Sequence, residues 1–142
     1  MKKISESTVV ICGIVRNAEH GLDRNIPVIN EFVESCKDYR IYIFENDSTD
    51  RTKEILKEWT GKDPERIIVE TKDFDSSNTI PETKMPNHVN PFFSRKRIDK
   101  MAALRNNYMH YINQLDLNVD YVVVVDLDVA QLYLNGILTS FD

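Results

Sequence analysis

The sequence is poor in cysteine and lacks long apolar runs. Its 142 residues include only Cys12 and Cys36, too few for a disulfide framework, and no CxxC pair or Cys/His cluster predicts a zinc site. No apolar stretch approaches the length of a membrane span, and residues 1–7 have two lysines but no apolar core, unlike a signal peptide. We therefore expect a cytoplasmic chain without an integral membrane segment, whose cysteines act as small apolar residues in a reducing compartment.

Positive charge and glycine are also scarce. The net charge is −5 and the pI is near 5.2, so the chain lacks the basic surface expected of a protein that binds nucleic acid or anionic membranes. There are four glycines, and the segment GIVRNAEHG at residues 13–21 fits neither GxGxxG nor GxxxxGK[ST]. If phosphate is bound, we expect a metal ion and arginine to hold it instead of a glycine-rich loop.

What the sequence does contain is an alternation of strand-like and helix-like segments. Apolar, β-branched runs predict strands at residues 8–15, 40–44, 66–70 and 121–125. Helical spacing predicts helices at residues 26–36, from an Asp50 N-cap to about Gly61, and at 95–115, with Pro27 in a first turn. Residues 73–94 contain three prolines without periodicity and predict a long loop. The length suits a single domain, residues 1–142.

This order of segments predicts an α/β fold with three layers, similar to a Rossmann fold. It implies right-handed crossovers and a mostly parallel sheet with helices on both faces. If the first three strands run outward on one side and the fourth returns to pair with the first, the strand order is 3-2-1-4. The uninterrupted apolar run at residues 121–125 predicts a fourth strand buried on both faces. Sheets of this kind bind ligands at the carboxyl ends of their strands, near the switch between strands one and four.

Paired carboxylates end the fourth predicted strand. Asp126 and Asp128 follow five apolar residues, and two carboxylates at the end of a buried strand are costly to leave unpaired. A divalent cation with an anionic ligand explains them, although aspartates also end strands as ordinary turn residues.

Polar residues also follow the first two strands. Arg16 and Asn17 follow the first, and residues 45–50 (ENDSTD) follow the second. Turn formation and helix capping explain most of the second cluster. They explain Glu45 less well, because a carboxylate at that position can accept a hydrogen bond from a ribose hydroxyl or a base N–H.

Arginines of the long predicted helix are candidate anion ligands. Arg105 falls on the apolar stripe formed by Ile98, Met101, Tyr108 and Ile112. Its partner there is either a diphosphate or an internal aspartate, unless the side chain snorkels to solvent. Arg97 lies in the first turn, where a cation opposes the helix dipole unless it faces a ligand.

Taken together, these segments resemble the nucleotide-sugar-binding half of GT-A fold glycosyltransferases. The similar segments are VVICGIVRNAE (9–19), FENDSTDRT (44–52), RKRIDKMAALRN (95–106) and VVVVDLD (122–128), the last as the DxD motif. ENDSTDRTKEIL and RIDKMAALRN are most similar to fungal capsule-type α-1,3-mannosyltransferases. The second segment is similar to the family-2 pattern DDxSxDxT, but Asn46 replaces its second acid and Asp47 its small residue.

The resemblance implies that the chain binds a UDP- or GDP-linked sugar. Asp126 and Asp128 would hold Mn²⁺ or Mg²⁺ between the two phosphates, with Asp126 also near the ribose. The other binding residues that it implies are Arg16 and Asn17 beside the nucleobase, Glu45, Asn46 and Asp47 at the base and ribose, and Arg97 and Arg105 near the diphosphate.

The implied activity is metal-assisted hexosyl transfer from the nucleoside-diphosphate sugar. The sequence ends soon after Asp128, where the acceptor site and catalytic base of these enzymes would follow, so we name no catalytic residue and expect a domain incomplete relative to a full enzyme. A nucleotide-binding or assembly module without turnover remains an alternative. A haloacid-dehalogenase-type phosphatase is less favoured, because its nucleophilic strand comes first in the chain.

The end of the chain is apolar. We expect this tail to form an uncapped surface that pairs with a second copy or with a missing partner half. Its apolar residues are Leu132, Leu134, Ile137, Leu138 and Phe141.

Overall fold

The computed structural model describes residues 1–74 and 95–141, with the side chains of the third helix described from Ile98 onward. After a short 3-10 helix, Ile4–Glu6, the elements are β1 (Thr8–Val15), α1 (Glu19–Glu34), β2 (Asp38–Asn46), α2 (Thr52–Lys62), β3 (Ile67–Lys72), α3 (Arg95–Gln114), β4 (Tyr121–Val124) and α4 (Leu134–Thr139). The four strands form one parallel sheet in the order β3-β2-β1-β4. The predicted fold class and strand order are confirmed. The predicted loop 73–94 lies outside the described residues from 75 onward.

Strand β1 is the centre of the molecule, because both of its faces are covered. Val9 and Ile11 are fully buried against apolar side chains of α1 and α2. Val10 and Cys12 point to the opposite face, where they pack with Leu104 of α3. Helices therefore cover both faces of the sheet, as the segment order predicted.

Strand β4 differs from its prediction, because only one of its faces is buried. Tyr121 and Val123 pack towards the core on the side of α1, whereas Val122 and Val124 are 46% and 57% exposed. Helix α3 packs on β1 and β2, and β4 is the edge strand beyond them. A run of valines is typical of a doubly covered strand, but it carries no information about how far a neighbouring helix reaches.

Helix α1 begins well before its predicted start, so that Pro27 lies inside the helix and not in its first turn. The N–H groups of Ala18 and Glu19 at the start of α1 are satisfied by Thr52 Oγ1 at 2.8 Å and Asp50 Oδ2 at 3.2 Å. These caps come from a turn that is distant in sequence, and local patterns therefore could not reveal the true start.

Helix α3 buries much of its predicted apolar stripe, namely Met101, Tyr108 and Ile112, but not Arg105. Leu104 and Tyr108 are buried in the core cluster on this side of the sheet, whereas Arg105 is exposed. The prediction that Arg105 lies on the apolar stripe is therefore wrong. Leu104, one position earlier, occupies the buried face instead.

The apolar tail is packed against the protein and is not uncapped as predicted. All five of its apolar residues are partly buried against the core cluster that includes α1. The ring of Phe141 stacks on Phe32 at 5.7 Å between centroids and meets Tyr121 edge-on at 5.1 Å. Pairing with a second copy or a partner half stays a prediction. Within the described ranges, no helix is both long and apolar enough to cross a membrane.

Candidate functional site at the carboxyl edge of the sheet

The turns that follow β1 and β2 are hydrogen-bonded to each other. The Asn17 N–H donates to Ser48 Oγ at 3.0 Å, and Asn17 Oδ1 accepts from the Thr49 N–H at 2.8 Å. The caps that Asp50 and Thr52 provide to the start of α1 extend this connection. Two of the three predicted polar clusters therefore lie together at the carboxyl edge.

Both turns contain a residue with a left-handed backbone. Asn17 has φ 47° and Asp47 has φ 54°, and these are the non-glycine residues with positive φ in the described part of the chain. Asn and Asp tolerate this conformation better than other residues with a side chain. Much of ENDSTD therefore has a structural role, as the turn and capping interpretation predicted. Asp50 accepts from the Thr52 N–H at 2.9 Å, although the helix cap itself is Arg51.

Glu45 is fully buried at the end of β2. Its Oε1 accepts a hydrogen bond from the Ser48 N–H at 2.8 Å, while Oε2 accepts none from residues 1–74 or 95–141. The charge of Glu45 also affects Lys53: the pKa of Lys53 is raised first by its hydrogen bond to Asp73 and further by Glu45. An unused buried acceptor is rare in a folded protein, so a donor to Glu45 Oε2 is expected from beyond the described residues.

Asp47 is surrounded by hydrogen-bond donors and cations. Partial burial alone would raise the pKa of its carboxyl group. Hydrogen bonds from Asn46 Nδ2 at 3.0 Å and from the Phe74 N–H at 2.8 Å lower it, and the charges of Arg16 and Lys100 add to this effect. The pKa of Asp47 therefore lies below its ordinary value, and this carboxylate stays ionised in a positively charged neighbourhood.

The end of β3 contributes side chains that sequence reasoning missed. The ammonium groups of Lys72 and Lys100 lie 5.3 and 5.5 Å from the ring centroid of Phe74. Because all strands are parallel, the end of β3 had to reach the same edge as the other three. That rule would have identified Lys72 and Phe74, if the strand had not been predicted to end at Glu70.

The third predicted cluster forms a turn directly after β4. Leu127 is fully buried between Asp126 and Asp128, which are both exposed, and the Asp126 carbonyl accepts from the Val129 N–H at 3.5 Å. Neither carboxylate has a hydrogen bond or ion pair with another side chain in the described residues. No group of three or more potential metal ligands occurs within this part of the chain either.

Helix α1 connects this carboxylate turn to the other two turns. A Cβ built on Gly21 would lie 2.6 Å from the Leu127 carbonyl oxygen and 2.7 Å from the Cα of Asp128, so only glycine fits between helix and turn. The same helix receives its caps from Asp50 and Thr52. All three predicted clusters are therefore held at one edge by the first half of α1.

Of the two predicted arginines of α3, only Arg105 has a side chain among the described residues. Arg105 is exposed and has no described partner among residues 1–74 and 95–141. The side chain of Arg97 lies outside the described residues. The ligand roles of both residues, and those of the other predicted binding residues, remain predictions.

A cleft of about 500 Å³ lies at the opposite, amino-terminal edge of the sheet. It is lined by the ends of α1 and α2 and the starts of β2 and β3, including Tyr39, Trp59 and Arg66. Arg66 lies over the Tyr39 ring at 5.2 Å and pairs with Asp38 at 3.3 Å. The charges of this cleft are thus partly paired internally, and the cleft is separate from the carboxyl-edge site.

A parallel sheet covered by helices on both faces, with polar turns at its carboxyl edge, defines a Rossmann-like α/β protein. Within that class, the chain belongs to the family described as Cryptococcal mannosyltransferase 1, whose model matches residues 8–141. This family indicates a glycosyltransferase-like function and favours it over the phosphatase alternative. Comparison with curated proteins and with solved structures gives no match.

Proposed function

We propose that the carboxyl edge binds the nucleoside-diphosphate part of a UDP- or GDP-linked sugar, with Mn²⁺ or Mg²⁺ held by Asp126 and Asp128. The observation that carries this proposal is the carboxylate turn: two exposed carboxylates without partners in the described residues, fixed against α1 by the buried Leu127. Two unpaired like charges are unfavourable on their own, and a divalent cation relieves their repulsion.

The donor atoms of this turn fit a hard cation that is shared with a ligand. Mg²⁺ is commonly bound by one or two carboxylates together with water and substrate phosphates, and the turn offers two carboxylates. A diphosphate would supply the remaining oxygens. When bound, the cation would neutralise charge on the departing nucleoside diphosphate, which assists glycosyl transfer.

The turns after β1 and β2 are the proposed nucleoside side of the site. Arg16 and Lys100 supply positive charge around Asp47. We assign the unused Glu45 Oε2 to a ribose hydroxyl or a base N–H. Because Glu45 is fully covered, this contact requires the residues that cover it to move when the ligand binds. Arg97 and Arg105 remain proposed diphosphate contacts.

The reaction that we propose is hexosyl transfer, and the family name points to mannose as the sugar. We assign the sugar donor to the carboxyl edge, and we assign no catalytic base. Donor binding is therefore the part of the proposed function that we test.

Calorimetric titration with UDP, GDP and CDP, each with and without Mn²⁺, tests the proposal. We expect Mn²⁺ to strengthen the binding of at least one nucleotide. Asp126→Asn or Asp128→Asn should reduce this Mn²⁺-dependent gain in affinity by about tenfold or more. Asp116→Asn is the matched control, because it removes an exposed aspartate from the connection before β4, at the other end of that strand. The absence of Mn²⁺-dependent binding to all three nucleotides would overturn the proposal.

A further inference from the structure

We propose that Asn25 positions the carboxylate turn and thereby sets the metal-dependent part of nucleotide binding. This inference rests on the proposed function, because it concerns the turn that carries Asp126 and Asp128. Asn25 lies in α1, distant in sequence from that turn, and none of the motifs in the sequence includes it.

The carboxamide of Asn25 bonds to the backbone of the turn at three points. Its Nδ2 donates to the carbonyl oxygens of Leu127 at 3.0 Å and Val129 at 2.8 Å, and its Oδ1 accepts from the Leu132 N–H at 2.8 Å. Asn25 itself has no exposed surface. Both amide hydrogens and the amide oxygen are therefore used, and all of them hold one short segment of backbone.

Two neighbouring residues of α1 support the same segment. Gly21, one helical turn earlier, allows the closest approach between helix and turn. Arg24 donates from Nε to the Ala130 carbonyl oxygen at 2.6 Å. The segment from Leu127 to Leu132 thus takes its position from α1.

The turn needs this support because the sheet no longer holds it. The last ladder bond of β4 runs from the Val125 N–H to the Cys12 carbonyl oxygen at 2.9 Å, so the backbone leaves the sheet directly before Asp126. Two aspartates that face one cation repel each other until it binds. Contacts that hold the backbone before binding reduce the cost of ordering the metal ligands, as hydrogen bonds that orient the ligands do at metal sites generally.

The test compares two asparagines of the same helix. Asn25→Ala removes the contacts with the turn, whereas Asn30→Ala removes an unrelated hydrogen bond, in which Asn30 Oδ1 accepts from Trp59 Nε1 at 2.9 Å. For each folded variant, nucleotide affinity is measured with and without Mn²⁺, and stability is measured by urea unfolding. We expect Asn25→Ala to reduce the Mn²⁺-dependent gain about 10- to 100-fold and to leave metal-free nucleotide affinity within about twofold. Asn30→Ala should keep the gain, whatever stability it loses.

A second variant covers the possibility that Asn25→Ala does not fold. Arg24→Met removes one exposed donor to the same segment and keeps the length of the side chain, so it should fold and reduce the Mn²⁺-dependent gain in the same direction by about two- to threefold.

The outcomes separate this inference from the proposed function. If the unmodified chain shows the Mn²⁺-dependent gain and folded Asn25→Ala retains it, or Asn30→Ala loses it equally, the positioning role is wrong and the proposed function stands. The same holds if Asn25→Ala does not fold and Arg24→Met keeps the full gain. If the unmodified chain shows no such gain, both fail.

Discussion

The Asn17 side-chain oxygen accepts a hydrogen bond from the Thr49 backbone N–H at 2.8 Å, across the gap between the turns that follow β1 and β2. In the other direction, the Asn17 N–H donates to Ser48 Oγ at 3.0 Å. A single residue thus fixes the relative position of two turns that are far apart in sequence. The proposed nucleoside side of the site depends on this connection.

Asn17→Ala should therefore destabilise the chain in two ways. It removes the acceptor of the Thr49 N–H, which costs about 0.5–1.5 kcal/mol, and it places alanine at φ 47°, which costs roughly 1–2 kcal/mol more. Asn17→Gly loses the same hydrogen bond without the conformational cost. Urea unfolding of both variants separates the two effects, and equal loss of stability in the two would show that the backbone conformation is not strained for alanine.

Acid stability should depend on Asp47. Its folded-state pKa is lower than the unfolded value of about 3.9, so the unfolded chain binds more protons as the pH falls and the stabilisation disappears in that range. The contribution is fully present above the unfolded pKa and is lost as the pH falls through the folded pKa. Asp47→Asn should thus be less stable than the unmodified chain at pH 7, and the difference should shrink below about pH 4. Thermal unfolding between pH 7 and 2.5 measures it, and parallel curves would contradict the pKa shift.

Gly21→Ala should disrupt the contact between α1 and the carboxylate turn. The added Cβ meets backbone atoms of Leu127 and Asp128, which cannot rotate away, and we expect a loss of about 1–3 kcal/mol. Gly61→Ala is the matched control, since a Cβ at Gly61 in α2 meets no atom within 4 Å. There alanine should stabilise the helix by about 0.5–1 kcal/mol. Urea unfolding gives both values, and a neutral Gly21→Ala would mean that the turn can yield.

The two thiols should react slowly in the folded chain. Burial raises the pKa of Cys12 to about 12 and that of Cys36 to about 11. At pH 7.5 the reactive thiolate is thus roughly 300 times scarcer for Cys36, and roughly 3000 times scarcer for Cys12, than for an ordinary cysteine with a pKa near 8.5. Iodoacetamide labelling followed by mass spectrometry should show little modification at first, and rapid modification of both cysteines in urea. Fast labelling of the native chain would contradict the described burial.

The fold was readable from the sequence because its signals are local. Alternating apolar segments predicted the element order and a parallel sheet, and the strand order 3-2-1-4 followed from the assumption that the fourth strand returns to pair with the first. The start of α1, by contrast, depends on caps from Asp50 and Thr52. The exposure of Val122 and Val124 arises because α3 packs on β1 and β2 and does not cover β4. Both features are set by tertiary contacts, which a local pattern does not contain.

The position of the candidate site, though not all of its residues, could also be predicted from the sequence. Strand ends identified Asp126, Asp128 and the turn after β2, because the carboxyl ends of parallel strands share one edge. The contribution of Asn25 was not readable, since an asparagine inside a helix has no distinctive pattern and its partners are backbone atoms distant in sequence. Arg105 was wrongly assigned to the apolar stripe of α3, because in that turn of the helix Leu104 is the residue that faces the sheet.

The half-covered state of β4 has a consequence for local unfolding. β4 is short, it bonds to β1 along one side only, and two of its valines already contact solvent. Detaching it exposes less apolar surface than detaching β1, so its amide hydrogens should exchange with solvent before those of the central strand. The strand that presents the carboxylates is thus among the parts of the sheet that open most readily, and its exchange rate reports on the carboxyl edge even when no ligand is bound.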